Sequence, residues 1–365
     1  MVAAAIPIYQ SLSWELQRIA AFPGLRVLTW DGNVLYASRG YQLLQADFSR
    51  PAIQWQEVAR FRASLWRNVS SRFPPTCRLM RDGFHALAVL PSGYRSAALP
   101  GVIATLAPGE TEFCVSHRIT RGTRPLHITA TPEGNVFWGE YFDNRDRDEV
   151  HIYVSADQGV RWDVAYTFPR HSIRHVHNIV YDEWQRCLWV LTGDEGAECR
   201  ILRTSLDFTN VEVVLSGNQQ ARAVALLAGA DGLYFSSDTP LERNHVYRLD
   251  RRGNLYTLAS LTSSSIYSCR VGDAMYFSTM VEPSAANPDR QVRVYGSLNG
   301  DHWRAILQWK KDGWPMKLFQ YGNAILPDGK NTSGVLAVTS VAVTPGDLET
   351  TLWRVTPTVP SPEPS

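Results

Sequence analysis

The chain has 365 residues, with 36 Lys plus Arg against 35 Asp plus Glu and a formal net charge of +1. So small a charge excludes an overall field that would drive binding to nucleic acid or to an anionic membrane, and any electrostatic function must come from local clustering. No segment approaches 18 uninterrupted apolar residues and the start lacks the basic n-region of a secretory signal, so the expectation is a soluble, cytoplasmic protein with no membrane span.

Aromatic residues make up 11% of the chain, with 12 Trp, and short strand-like runs are punctuated by Gly and Pro without sustained helical periodicity. This is an all-β profile. The five cysteines, Cys77, Cys114, Cys187, Cys199 and Cys269, are scattered and odd in number, which argues against a disulfide framework or zinc ribbon.

In chain order, the first strand pattern is SWELQRIAAF, residues 13–22. A four-strand repeat follows over 26–61 (RVLTW, NVLYAS, YQLLQAD, WQEVARF), and a weaker one over 81–119. The clearest repeat is 124–168, where RPLHITAT turns into VFWGEYF, then EVHIYVS runs through ADQG into RWDVAYTF. The same grammar fits 174–215, 222–261 and 270–309. A last repeat begins at Lys317 and stops at its third strand, TTLWRV.

A basic residue opens the repeats at intervals of roughly 43 to 55 positions: Arg26, Arg81, Arg124, Arg174, Arg222, Arg270 and Lys317. Repeats of this length with several short strands each predict a propeller. The N-terminal strand 13–22 supplies the strand the last repeat lacks, closing the ring and removing exposed edges. The expected architecture is therefore a seven-bladed β-propeller of four-stranded antiparallel blades, one domain over 1–355, followed by a disordered Pro- and Ser-rich tail over 356–365.

Residues 155–162, SADQGVRW, match the Asp-box pattern Ser-x-Asp-x-Gly-x-x-Trp, and SLNGDHW at 297–303 is a shortened version. TSLDF near Asp207 is a fragment of it. The chain thus resembles the Asp-box (BNR) repeat propellers, a superfamily that includes sialidases and other carbohydrate-active proteins. In physical terms the motif is a hairpin turn, so Asp157, Gly159 and Trp162 are structural. The sialidase Arg triad with its Tyr and Glu pair has no residue-by-residue match.

Tracing strand direction places the recurring basic residues, proposed to bind substrate, at one face. The ends of the second strands bring Glu140, Asp194, Asp238 and Glu282 to the same face. These pairs form either an inter-blade salt-bridge lattice or a pocket for an anionic ligand, where Arg would bind carboxylate, sulfate or phosphate with both arms of its fork. His85, His127, His177 and Gln320 fall deeper along the inner strands. Three readings of them stay open. They are hydrogen-bonded core residues, or ligands of a divalent metal, or, for His127 or His177, a general base with Tyr141 as partner acid.

The last reading is similar in architecture to propeller polysaccharide lyases, which implies an acidic oligosaccharide or polysaccharide as partner. Hydrolysis would instead use two of the four carboxylates. The expected function is a glycosidase or lyase acting on an acidic glycan, with no cofactor or a divalent metal. The alternative is a non-catalytic glycan-binding or protein-interaction scaffold, with polysaccharide assembly as one setting for it.

Overall fold

A computed structural model describes residues 13–358. Strand accounts for 53% of the chain and helix for 7%, which makes the class all-β. Among the described residues no helix is long and apolar enough to cross a membrane.

Four-stranded antiparallel sheets follow one another along the chain. The strands Thr129–Ala130, Val136–Gly139, Val150–Ser155 and Asp163–Phe168 form one, and His175–Asp182, Cys187–Gly193, Arg200–Thr204 and Val211–Ser216 form the next. Another follows from Ala223–Gly229 to Leu255–Leu261, and then one from Ser265–Val271 to Arg304–Lys311, to which the short strand Val343–Thr344 adds. The units over 26–61 and 86–118 are joined into one sheet by a short parallel pairing of their outer strands, Arg60 beside Glu112.

Burial runs as a gradient that the residue types dictate. The second strand Cys187–Gly193 (CLWVLTG) is buried throughout, whereas every residue of the outer strand Val211–Ser216 is half-buried or exposed. The apolar clusters lie between sheets. Phe137, Val150 and Ile152 pack against Val176, Ile179 and Leu188 of the next sheet, and Leu191 and Ile201 against Leu226 and Phe235 of the one after. One cluster joins the last unit to the first, with Val335, Ala337 and Leu352 against Val27, Trp30 and Leu35. The layers therefore bury each other around a closed circuit.

The last sheet is built from both ends of the chain, in the order Asn323–Ile325, Val335–Val341, Glu349–Thr358 and Ser13–Pro23. Its outer pair runs antiparallel from Ser13 opposite Thr358 to Pro23 opposite Glu349. The C-terminal strand thus extends to Thr358, three residues into the segment expected to be a disordered tail; residues 359–365 lie outside the described residues.

Several strand starts differ from the sequence expectation. The last inner strand begins at Asn323, because Lys317 sits in the short helix Met316–Phe319. Arg270 lies near the end, not the start, of Ser265–Val271, and donates to the Ala228 carbonyl. The unit after 61 begins at Ala86, behind two helices, Leu65–Ser70 and Pro74–Met80, that the sequence reading did not foresee. Arg81 closes the second helix in a left-handed conformation.

Arg78 fastens this helical pair to the last unit. Its buried guanidinium reaches Asp312 at 2.5 Å and Asp347 at 2.9 Å, and donates to the Phe319 carbonyl. Removing one member of a buried ion pair strands the other charges. Arg78→Ala is therefore expected to lower stability by about 3 kcal/mol in urea unfolding, and to make the 65–80 segment the first cut by protease. Deleting residues 1–22 exposes the Glu349–Thr358 edge and is expected to convert a single elution peak into aggregate in size-exclusion chromatography.

Candidate functional site

The inner strands carry β-bulges near their starts, at Val27/Thr29, Val176/Asn178, Ala223/Leu226 and Ser265/Tyr267. A bulge re-aims side chains where a regular ladder would alternate them. Around the face where these strands begin, the charged groups form two clusters, one of arginines alone and one built around carboxylates.

On one side stand Arg26, Arg81 and Arg124, from three consecutive units. Burial, then the charges of Arg26 and Arg81, hold the Arg124 guanidinium down to about 10. None of the three has a carboxylate partner among the described residues. Arg124 donates only a long bond to the Thr123 hydroxyl, 3.4 Å away. His85 beside them is pushed well below its usual range by burial and by Arg124 and Arg26, and its Nε2 lies 2.7 Å from the Arg81 carbonyl.

On the other side lies the acidic group. Asp194 is the hub: Arg174 Nη1 reaches its Oδ2 at 3.2 Å, Arg222 Nη2 its Oδ1 at 3.3 Å, and His177 Nε2 its Oδ1 at 3.2 Å. Arg174 also bonds Asp143 at 2.5 Å. Burial raises the Asp194 carboxyl, but the neighbouring His175 and His177 imidazoles and the Arg222 charge outweigh it and hold the group well below the usual carboxylate range. Burial pushes the Asp238 carboxyl up to about 7, helped by Glu282 and Asp194 and opposed by Arg222, which stays 3.8 Å away. Glu282 accepts from the Ser264 hydroxyl at 3.1 Å. Tyr141 packs against His175 with the rings tilted by 39° and centroids 4.3 Å apart, and burial followed by the charges of Asp194 and Asp238 pushes its hydroxyl up to about 12.

Of the residues singled out from the sequence, the structure brings together Arg174, His177, Tyr141, Asp194, Arg222, Asp238 and Glu282. Glu140 is instead a buried anchor, accepting Arg121 Nε at 2.9 Å and the His151 amide at 2.8 Å. Arg270 faces the far end of the strands, near Asp231 and Tyr234, so it does not belong to the ring. Lys317 is exposed on its short helix.

The set expected to bind a metal, His85, His127, His177 and Gln320, does not converge. Gln320 donates to the Arg78 carbonyl at 2.9 Å, and His127 Nδ1 lies 3.1 Å from Asp328, across from Tyr267. Of that set, His177 belongs to a cluster of three ligand-type groups. Its neighbours are His175 and Asp194, whose donor atoms all lie within 4.8 Å of one another. His175 was missed although the spacing His175-Val176-His177 puts two rings on one side of a strand. The bulge at His177 and the lack of a Cβ on Gly193, which would stand 2.5 Å from His177 Cε1, let the rings close together.

The Asp-box turns form as the residue types dictate. Asp157 Oδ1 accepts from the Ser155 hydroxyl and the Arg161 amide, Gly159 takes φ +88°, and Trp162 Nε1 donates to Ser116. Ser297, Asn299 and Gly300 repeat the arrangement.

A second feature is the 65–80 helical pair, whose amphipathicity is inverted. Its polar side faces inward: buried Asp82 accepts from Tyr41 at 2.9 Å, from Arg67 at 2.7 Å and from Ser70. Its apolar side faces solvent, with Leu65 87% and Trp66 66% exposed, and Val69, Phe73 and Leu79 likewise exposed. Leu318 and Trp314 of the neighbouring 312–319 segment are exposed too.

No family model and no curated protein matches the chain. Solved structures do. A chain of the mitotic checkpoint complex superposes with a TM-score of 0.56 at 10% identity, over 97% of this chain and 96% of that one. The β-propeller domain of Myceliophteria thermophila Cps50 (Swd1) gives 0.56 at 11%, over 94% and 100%, and the WD40 β-propeller domain of Doa1 0.54 at 11%, over 94% and 97%. The fold is a β-propeller. At such identities the likeness carries the fold alone, so the propeller expectation stands while membership of the Asp-box family is not shown.

Burial of Asp238 has a consequence for stability. With a folded pKa near 7 against about 4 unfolded, the native state keeps a proton between those values that the unfolded state has released, so stability falls as pH rises through that window. Asp238→Asn is expected to match the wild type at pH 4 and to exceed it at pH 8 by on the order of 3 kcal/mol in urea unfolding. Equal differences at both pH values would remove the raised carboxyl from the account.

Proposed function

We propose that the protein is a non-catalytic interaction scaffold: a single propeller domain of seven four-stranded blades with Asp-box-type turns, on which a protein partner docks at the 65–80 helical pair. The carrying observation is the inverted amphipathicity of that pair. Exposed Leu65, Trp66 and Val69 lie at helix-neighbour spacings on the first helix, exposed Phe73 follows in the turn to the second, and solvated apolar groups gathered in this way mark interaction surfaces. The second helix ends at Arg81, beside Arg26 and Arg124, so a partner bearing carboxylates near its apolar contact would find unpaired guanidinium groups.

Scaffold use also fits the state of the groups that glycan cleavage would need. Arg174 and Arg222 are engaged by Asp143 and Asp194, and Glu140 by Arg121. The structural neighbours include one chain solved within a complex.

The test is comparative co-purification from the native host. Wild type is expected to retain a partner that the Leu65→Asp, Trp66→Asp double variant loses by about tenfold or more, at unchanged melting temperature. Arg26→Gln, Arg81→Gln and Arg124→Gln together are expected to weaken the same partner and flatten its salt dependence. The same proteins retained by wild type and the double variant, or turnover of a uronate-containing, sialylated or sulfated glycan by the wild type, would overturn the proposal.

A further inference from the structure

We infer that His175, His177 and Asp194 bind a borderline divalent metal ion, zinc or ferrous iron, through His175 Nε2, His177 Nε2 and Asp194 Oδ1. The argument begins with the hydrogen bonds on the far sides of the two rings. His175 Nδ1 lies 3.0 Å from the Phe142 carbonyl and His177 Nδ1 lies 2.9 Å from the Ala223 carbonyl. A carbonyl only accepts, so each Nδ1 carries a proton, and a ring with one proton then presents an Nε2 lone pair. Those two lone pairs meet head on: the Nε2 atoms are 3.1 Å apart, and both face Asp194 Oδ1, at 3.5 Å from His175 and 3.2 Å from His177. Arg222 Nη2 meets Oδ1 at 3.3 Å, but the two Nε2 lone pairs that face each other repel unless a positive centre lies between them.

The dimensions select what that centre is. With metal bonds of about 2.0–2.2 Å, donors sharing an octahedral or tetrahedral coordination sphere sit roughly 2.8–3.6 Å apart. The observed triangle of 3.1, 3.2 and 3.5 Å has that size without rearrangement. The surroundings match as well. An Nδ1–H bond to a backbone carbonyl is the usual outer support of a metal-bound imidazole, and both rings have one. Arg174 holds the other oxygen of Asp194 at 3.2 Å, which aims Oδ1 at the rings. Two imidazoles and one carboxylate are the donor set of catalytic zinc and non-haem iron sites. The competing positive centre is a proton shared by the two rings.

The experiment separates the two. The full chain, purified without a metal-binding tag and stripped with EDTA, is incubated with zinc, or with ferrous iron under anaerobic conditions, then desalted, assayed for bound metal and melted. Wild type is expected to keep one equivalent of one of the ions and to melt higher with it. His175→Gln, His177→Gln and Asp194→Asn are each expected to lose this uptake by about 10–100-fold or more, while His85→Gln and His127→Gln keep it. His175→Gln decides the matter if another variant fails to fold, as shown by circular dichroism. No uptake by folded wild type at a roughly tenfold excess of either ion, or uptake indifferent to His175→Gln, overturns the site and leaves the shared proton.

Discussion

Everything at the functional face depends on one set of backbone hydrogen bonds, those between Ser13–Pro23 and Glu349–Thr358. A sheet stack that does not close leaves an edge and lets its first and last layers splay. Here the outer strand of the last unit comes from the beginning of the chain, so the ends hold each other. The cluster of Val335, Ala337 and Leu352 with Val27, Trp30 and Leu35 completes the circuit in apolar contact. Closure fixes the distance between units that are remote in sequence. His127 can meet Asp328, 201 positions away, only because of it.

Within the ring, the charges obey a different economy on the two sides. Asp194 gathers Arg174, Arg222 and two imidazoles, so the carboxylate is held from several sides. Arg26, Arg81 and Arg124 are left facing one another without a carboxylate, and the cost appears as the lowered pKa of Arg124. A self-repelling cationic cluster beside an outward-facing apolar helical pair is complementary to an acidic, partly apolar surface. The metal inference and the scaffold reading therefore draw on opposite halves of the face and stand independently.

The propeller was legible because its signals are local. Turn residues, alternation and the Asp-box each act within about ten residues, and the N-terminal strand was recognisable from its likeness to WQEVARF and RWDVAYTF. The site was legible only where local phase held. Arg174, Asp194, Arg222 and Asp238 sit at strand ends in regular units and were found, whereas Arg270 and Lys317 were misplaced because Ser265–Val271 starts five residues earlier and Met316–Phe319 is a helix. The 65–80 helices were hidden by their own patterning, since apolar residues outside and a polar anchor inside invert the expected amphipathic reading.

The sequence by itself determined the all-β class, the repeat, the hairpin turns and the strand that closes the last sheet, because each follows from backbone preference and apolar spacing over a few residues. Only the tertiary structure decided which charged groups meet. A bulge at His177 and the absent Cβ of Gly193 bring His175, His177 and Asp194 together, while Gln320 is drawn to Arg78 and Glu140 to Arg121. Such choices depend on shifts of one residue in register between strands, which change the direction of a side chain completely while leaving the pattern of residue types unchanged.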